Sequence, residues 1–361
     1  MTWTVQDYQF MSLAIQLARR GRYTCDPNPR VGCVITRDNQ LIAEGWHALA
    51  GKAHAEINAL NAISDASNAT VYLTLEPCSH HGRTPPCTDA LIEANVKEVI
   101  IAMIDPNPEV SGNGIKKLEA AGITVKQGLL EAESCKLNPG FIKRMTTGKP
   151  SVRCKLAMSL DAKTALSNGE SQWISCPESR RDVHNLRAGS SAILSSAETV
   201  LKDDPLLTAR DIDFEFKQPV RVIVDRKLKT PATAKIFVQK GKTVIYTETE
   251  NSKAIEGTGA DIICLPPSPS WLSDVLMHLA KEYEINEILV EAGSTFSGAL
   301  IEAGLVDELI VYMAPVLLGH DANPLLKLKS LTRLSDAIQL DIMDVRHVGK
   351  DLRLSFKLKN D

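Results

Sequence analysis

Short apolar runs that read as strands alternate with helical patterns along the whole chain, and a Gly148-Lys149-Pro150 break divides them into two series. In the first series, Met11, Ala14, Ile15 and Ala18 recur at helical spacing, and Gly21 supplies a stop. Residues 31–36 and 41–46 flank Asp38-Asn39, the composition of a tight hairpin turn. A helix over 55–63, a strand over 70–75, a helix over 89–94 with Thr88 as its N-cap, and a strand over 96–103 follow. A helix over 115–121 stopping at Gly122, a strand over 123–126 and a helical stretch over 131–145 complete the series. The second opens with a strand over 151–157 and continues with strands over 192–194, 220–224, 243–246, 261–264 and 287–290. Its end, over 309–312, 338–347 and 352–358, has no helix between the last two strands, which predicts an antiparallel hairpin closing a mixed sheet. The pattern predicts an α/β fold with helices covering sheets, in two domains over 1–147 and 148–361.

Charge and composition narrow the partners. The net charge is −3 and no strongly basic stretch is present, so a nucleic-acid partner is not expected, whereas a small phosphorylated ligand needs only a few local cations. No apolar run approaches the roughly 18 to 20 residues that span a bilayer, so no membrane partner is expected either. Residues 1–9 are polar, unlike a secretory signal, and the expected compartment is the cytoplasm. The eight cysteines are irregularly spaced, which does not suit a disulfide framework. Cys25, Cys33, Cys135, Cys154, Cys176 and Cys264 read as packing residues.

Cys78 and Cys87 read differently. His54-Ala55-Glu56 begins a helical pattern, Glu76-Pro77-Cys78 follows a strand, and Cys87 precedes another helix. His54, Cys78 and Cys87 supply three zinc ligands and leave the fourth tetrahedral position to water, the arrangement of a catalytic zinc. Helix N-termini favour thiolate over thiol. Glu56, two residues from His54, can face the metal without ligating it, take a proton from the water and return it to a ring nitrogen and a departing amine. This is the H-x-E…P-C constellation of zinc base deaminases, with eight residues instead of two between the cysteines. Two other readings stay open on the residues alone: a structural zinc completed by His80 or His81, and a deaminase of a nucleoside or a tRNA base.

The motifs Asn28-Pro29-Arg30-Val31-Gly32-Cys33-Val34, His54-Ala55-Glu56 and Thr74-Leu75-Glu76-Pro77-Cys78-Ser79-His80-His81-Gly82-Arg83-Thr84-Pro85-Pro86-Cys87 resemble the bifunctional riboflavin biosynthesis deaminase/reductases of bacteria. The resemblance implies a cytidine-deaminase-like α/β/α sandwich followed by a dihydrofolate-reductase-like mixed-sheet domain. It implies one zinc per chain, NADPH, and successive deamination and reduction of a phosphorylated pyrimidine. By position it assigns deaminase substrate contacts to Asn28, His47, His80, Arg83 and Thr84. An asparagine suits the amide-like edge of a pyrimidine, and a cationic loop suits a phosphate.

In the second half, residues 291–298 follow a strand and open a helix without the glycine spacing of a dinucleotide fingerprint. Read alone, this half is an α/β domain that binds a ligand, Trp173 is as much a core residue as a contact, and Asp203-Asp204-Pro205 is a turn. The stretches 155–165, 169–174 and 203–210 resemble the family's reductase domain. The resemblance then implies cofactor contacts at Ala157, Trp173, Thr199, Asp203, Gly293, Ser294, Thr295, Phe296, Ser297, Gly298 and Ala299. It implies substrate contacts at Lys155, Ser171, Arg187, Leu207, Arg210 and Glu291, with Arg187 and Arg210 as phosphate clamps. Arg226 either meets the cofactor's 2′-phosphate or points to solvent. A sheet edge in this half predicts a homo-oligomer, dimer or tetramer.

Overall fold

The computed structural model describes residues 2–79, 85–108, 110–251 and 253–359, and the chain divides into two compact units, 1–149 and 150–361. In the first unit, helix α1 (Val5–Arg20) starts at a capping box: the Thr4 hydroxyl accepts the Asp7 N–H at 3.1 Å, and the Asp7 carboxylate accepts the Thr4 N–H at 2.8 Å. Strands β1 (Gly32–Arg37) and β2 (Gln40–Trp46) pair antiparallel through Asp38-Asn39, whose φ values of +52° and +60° give the turn the twist such a hairpin needs. Then come α2 (Ala55–Leu60), β3 (Thr70–Leu73), α3 (Cys87–Glu93), β4 (Glu98–Ile101), α4 (Asn113–Ala120) and β5 (Thr124–Gln127). Two short helices, α5 (Glu131–Cys135) and α6 (Pro139–Thr147), end the unit.

The five strands lie in the order β2-β1-β3-β4-β5, antiparallel across β2-β1-β3 and parallel across β3-β4-β5. Alternation along each strand fills both faces. Cys33, Ile35, Val71, Leu73, Val99 and Ile101 pack with residues of α2, α3 and α4, whereas Val34, Tyr72 and Ile100 pack with residues of α1. Each aliphatic side chain withdrawn this way contributes roughly 1.5–3 kcal/mol. The result is a three-layer α/β/α sandwich.

Two local expectations are corrected. Thr88 does not cap α3: the helix begins two residues earlier than expected, at Cys87, and Thr88 is buried in its first turn. The stretch 131–145 is not one helix. Asn138 interrupts it by accepting the Arg30 N–H at 2.8 Å and donating to the Arg30 carbonyl at 2.9 Å, and Pro139 restarts it.

The second unit runs β6 (Ser151–Ser159), β7 (Lys163–Ala165), α7 (Pro177–Ala188), β8 (Ala192–Ser196), α8 (Ala197–Asp203), β9 (Val220–Val224), β10 (Thr243–Thr247) and β11 (Asp261–Cys264). It continues with α9 (Trp271–Glu282), β12 (Glu287–Val290), α10 (Ser294–Glu302), β13 (Glu308–Ala314), β14 (Asn323–Pro324), β15 (Leu340–Val348) and β16 (Asp351–Leu358). Nine strands form one sheet in the order β11-β10-β9-β8-β12-β6-β13-β16-β15. All neighbours are parallel as far as β13, and β16 and β15 close the sheet antiparallel. The brief β7–β14 pair was not legible in the sequence. Residues of α9 and α10 pack with Val152, Leu194, Val222 and Val290, while Val183 and Leu186 of α7 pack with Leu289, Ile310 and Tyr312. Asp351, fully buried, accepts the Cys176 N–H at 2.8 Å and the Ser179 hydroxyl at 2.7 Å, so the closing hairpin fixes the start of α7. Among the described residues no helix is long and apolar enough to cross a membrane.

Candidate active sites

The ends of three elements in the first unit converge. His54 precedes α2, Cys78 follows β3, and Cys87 is the first residue of α3. His54 Nδ1 lies 3.2 Å from Cys87 Sγ and 3.6 Å from Cys78 Sγ, and Cys78 Sγ accepts the Cys87 N–H at 3.3 Å. All three donor atoms lie within 4.8 Å of one another, and one nitrogen with two sulfurs at this spacing fits a tetrahedral zinc. The Cys87 thiol that hydrogen-bonds Cys78, together with His54, pulls Cys78 down to about 4 in spite of burial, and Cys87 is pushed up in turn. A thiol drawn down in this way is favoured as a thiolate ligand.

Glu56 lies in the first turn of α2, buried, and burial pushes its carboxyl up. Its Oε2 has no hydrogen-bond partner among the described residues. A buried carboxyl with a vacant oxygen beside three metal donors is placed to exchange a proton with a bound water or substrate. Asn28 and His47 also come to this site. Asn28 Nδ2 lies 3.0 Å from His47 Nε2, His47 Nδ1 lies 3.1 Å from the Ala53 carbonyl, and the His47 ring meets that of His54 edge-on at 5.3 Å. A carbonyl only accepts, so Nδ1 carries the ring proton and Nε2 accepts from Asn28. His80, Arg83 and Thr84 lie outside the described residues, as does His81.

Glu76 had no role in the sequence reading beyond its place in the motif. It is buried and accepts three backbone N–H groups: Asp105 at 3.1 Å, Gly112 at 3.0 Å and Gly114 at 2.9 Å. It braces the turn carrying Cys78 against the start of α4. Gly114 is required there, because a Cβ would come within 2.3 Å of the Pro77 carbonyl. No local sequence signal joins Glu76 to partners some thirty residues away.

In the second unit a cleft of about 1190 Å³ is bordered by β6, α7, α8 and the start of α10. Of the anticipated cofactor contacts, Ala157, Trp173, Thr199, Asp203, Gly293, Ser294, Thr295, Phe296 and Ala299 line it. Ser297 and Gly298 do not. The helical turn places Ser297 in the interior, donating to the Ala292 carbonyl, and sets Gly298 against the Lys327 carbonyl, where a Cβ would come within 2.2 Å. Trp173 is no core residue: it is 68 % exposed, with the Arg180 guanidinium 4.7 Å from its ring centre. Arg226 is not among the lining residues; it pairs with Glu248 and lies over the Trp271 ring.

The anticipated substrate contacts Lys155, Ser171, Arg187, Leu207, Arg210 and Glu291 all border the cleft. Arg187 grips Glu291 in a two-point contact, Nε to Oε1 at 2.5 Å and Nη2 to Oε2 at 3.0 Å, with Lys155 Nζ 4.0 Å from Oε2. Burial alone would raise the Glu291 carboxyl, but Arg187 and then Lys155 outweigh it and hold the group at about 2. Burial lowers the Lys155 amine, against the pull of Glu291. Burial also pushes Asp203 up, against Lys202. His184, absent from the sequence reading, lines the cleft as well.

Known proteins divide along the same line. Residues 4–103 match the family model for the cytidine and deoxycytidylate deaminase zinc-binding region, and residues 150–354 match that for the RibD C-terminal domain. The riboflavin biosynthesis protein RibD of Escherichia coli (strain K12) is 48 % identical over 364 residues, covering 97 % of this chain and 99 % of that one. RibD of Acinetobacter baumannii superposes with a TM-score of 0.93 at 42 % identity, over 98 % of this chain and 99 % of that one. A Thermotoga maritima structure described as a diaminohydroxyphosphoribosylaminopyrimidine deaminase/5-amino-6-(5-phosphoribosylamino)uracil reductase gives 0.88 at 35 % identity, over 98 % and 99 %. Similarity at these identities runs over nearly the full length of both partners. The chain therefore belongs to the RibD family and is a deaminase and a reductase of riboflavin biosynthesis in one polypeptide.

Proposed function

We propose that residues 1–147 deaminate 2,5-diamino-6-ribosylamino-4(3H)-pyrimidinone 5′-phosphate, and that residues 148–361 use NADPH to reduce the ribosyl group of the resulting 5-amino-6-(5-phosphoribosylamino)uracil to ribityl. The observation that carries the first half is the buried Glu56 carboxyl, with Oε2 vacant, beside three donors at zinc spacing. His54, Cys78 and Cys87 would hold one zinc per chain. Zinc held there would supply an activated water, its pKa lowered to roughly 7. Glu56 Oε2 would carry two protons in turn, the first from the water to the ring nitrogen and the second from the newly added hydroxyl to the departing amine, leaving a carbonyl and ammonia. Asn28, held by His47, meets the amide-like edge of the ring, and His80, Arg83 and Thr84 meet the phosphate.

In the cleft, Ala157, Trp173, Thr199, Asp203 and the turn of Gly293, Ser294, Thr295 and Phe296 would hold NADPH. That cofactor supplies the hydride that reduces C1 of the open imine form of the sugar. Lys155, Ser171, Leu207, Arg210 and Glu291 would orient the substrate, with Glu291 kept ionised by Arg187. The test follows two signals on the diamino pyrimidine phosphate, with and without NADPH. Ammonia release is expected in both cases, and loss of nicotinamide absorbance only after deamination. Release of ammonia from cytidine but not from this substrate would sink the reading.

The enzyme works in the cytoplasm as a homo-oligomer on this reading. The free state of all eight cysteines supports the first point. In support of the second, edge strand β15 exposes Ile342 at 69 % and Val345 at 54 %, an apolar edge suited to pairing with a second copy. Lysine at both positions is expected to shift the protein to monomer in light scattering. An unchanged mass would move the interface elsewhere.

A further inference from the structure

His184 lies one helical turn before Arg187 on α7, is buried, and borders the reductase cleft. Its Nδ1 sits 3.5 Å from Nη1 of Arg187. A guanidinium only donates, so this contact requires the lone pair on Nδ1, and the ring proton is on Nε2. Burial first, then the charges of Arg187 and Arg210, bring the imidazole down to about 4, so the ring is neutral near pH 7.

Arg187 itself has little capacity left. Its Nε and Nη2 donate to Glu291, and its Nη1 donates to the Thr208 carbonyl at 2.9 Å besides facing His184. Four of its five N–H groups have partners. Arg210 differs: its side chain is half-exposed at the cleft, and its acidic neighbour Asp211 stands 3.8 Å away.

We propose that His184 is a phosphate-binding residue of the reductase cleft, its Nε2–H and the Arg210 guanidinium taking phosphoryl oxygens of the substrate while Arg187 fixes the tautomer. The proposal rests on the reading that this cleft takes a phosphorylated sugar. A hydrogen bond to a charged group contributes about 1.5–3 kcal/mol, so its loss costs at least about tenfold in affinity. Binding of the pyrimidine ring and of the cofactor would not involve it.

The test compares wild type, His184→Leu and His184→Gln on 5-amino-6-(5-phosphoribosylamino)uracil and on its dephosphorylated form. The leucine variant is expected to raise KM for the phosphorylated form about tenfold or more with kcat within about twofold, and to leave KM for the dephosphorylated form and for NADPH unchanged. Glutamine, which keeps an N–H donor, is expected to recover most of the loss. Equal losses on both substrates, or no recovery by glutamine, would overturn the proposal. A wild type that reduces neither substrate would instead refute the functional reading beneath it. A second measurement needs no variant: the ¹⁵N signals of His184 in the full chain should report Nε2–H at pH 7 and shift when inorganic phosphate is added. A ring protonated on Nδ1, or a signal indifferent to phosphate, also overturns it.

Discussion

Glu56→Gln is expected to lower ammonia release by about a hundred- to ten-thousand-fold, with zinc content and the reduction of deaminated substrate both at wild-type level. Glutamine matches the carboxyl in shape and adds no void to the buried first turn of α2, but it cannot carry the proton. His54, Cys78 and Cys87 are unchanged, and the amide can keep the hydrogen bond that the Glu56 side chain makes with the Cys87 thiol. The substitution therefore separates proton transfer from metal binding. Metal analysis, an ammonia assay and nicotinamide absorbance read the three quantities on one sample. Deamination within tenfold of wild type would remove Glu56 from the proton path.

Arg187→Met is expected to destabilise the second unit by about 3–5 kcal/mol, because it leaves the buried Glu291 carboxylate without its main partner. Adding Glu291→Gln to the same chain should recover most of that loss, since the stranded charge is then gone. The pH dependence gives an independent sign. The folded-state pKa of Glu291, about 2, lies below its ordinary value of 4.5, so its contribution is complete above pH 4.5 and is lost as pH falls towards 2. The span corresponds to about 3 kcal/mol. Denaturant unfolding between pH 6 and pH 2.5 should show a shallower loss in Glu291→Gln than in wild type. Equal slopes would mean that the pair adds nothing to stability.

The three donors that the fold brings together were legible because each sits beside a local signal: a helix start for His54 and Cys87, a strand end for Cys78. Asp38-Asn39 was legible for the same reason, since the left-handed conformations are properties of the turn residues themselves. Contacts made at a distance left no such trace. Glu76 reaches N–H groups at 105, 112 and 114, and Asn138 breaks a helix by clasping the backbone of Arg30. His184 lies on α7, a helix the sequence reading did not place, and its approach to Arg187 marks it out. Ser297 and Gly298 show the limit of extending a motif residue by residue. A ligand at the start of a helix meets one side of the first turns, and the remaining positions pack inward.

The three N–H groups held by Glu76 bear on how the metal site comes into being. A carboxylate saturated by the backbone has nothing to offer to a cation or a pyrimidine, so its work belongs to folding alone. These bonds tie the turn bearing Pro77 and Cys78 to the start of α4, and His54 Nδ1 stands 3.2 and 3.6 Å from the two sulfurs. A side chain whose backbone the fold already holds surrenders less conformational entropy on binding, so loss of the Glu76 carboxylate would cost the docking of α4 and the placement of Cys78 together.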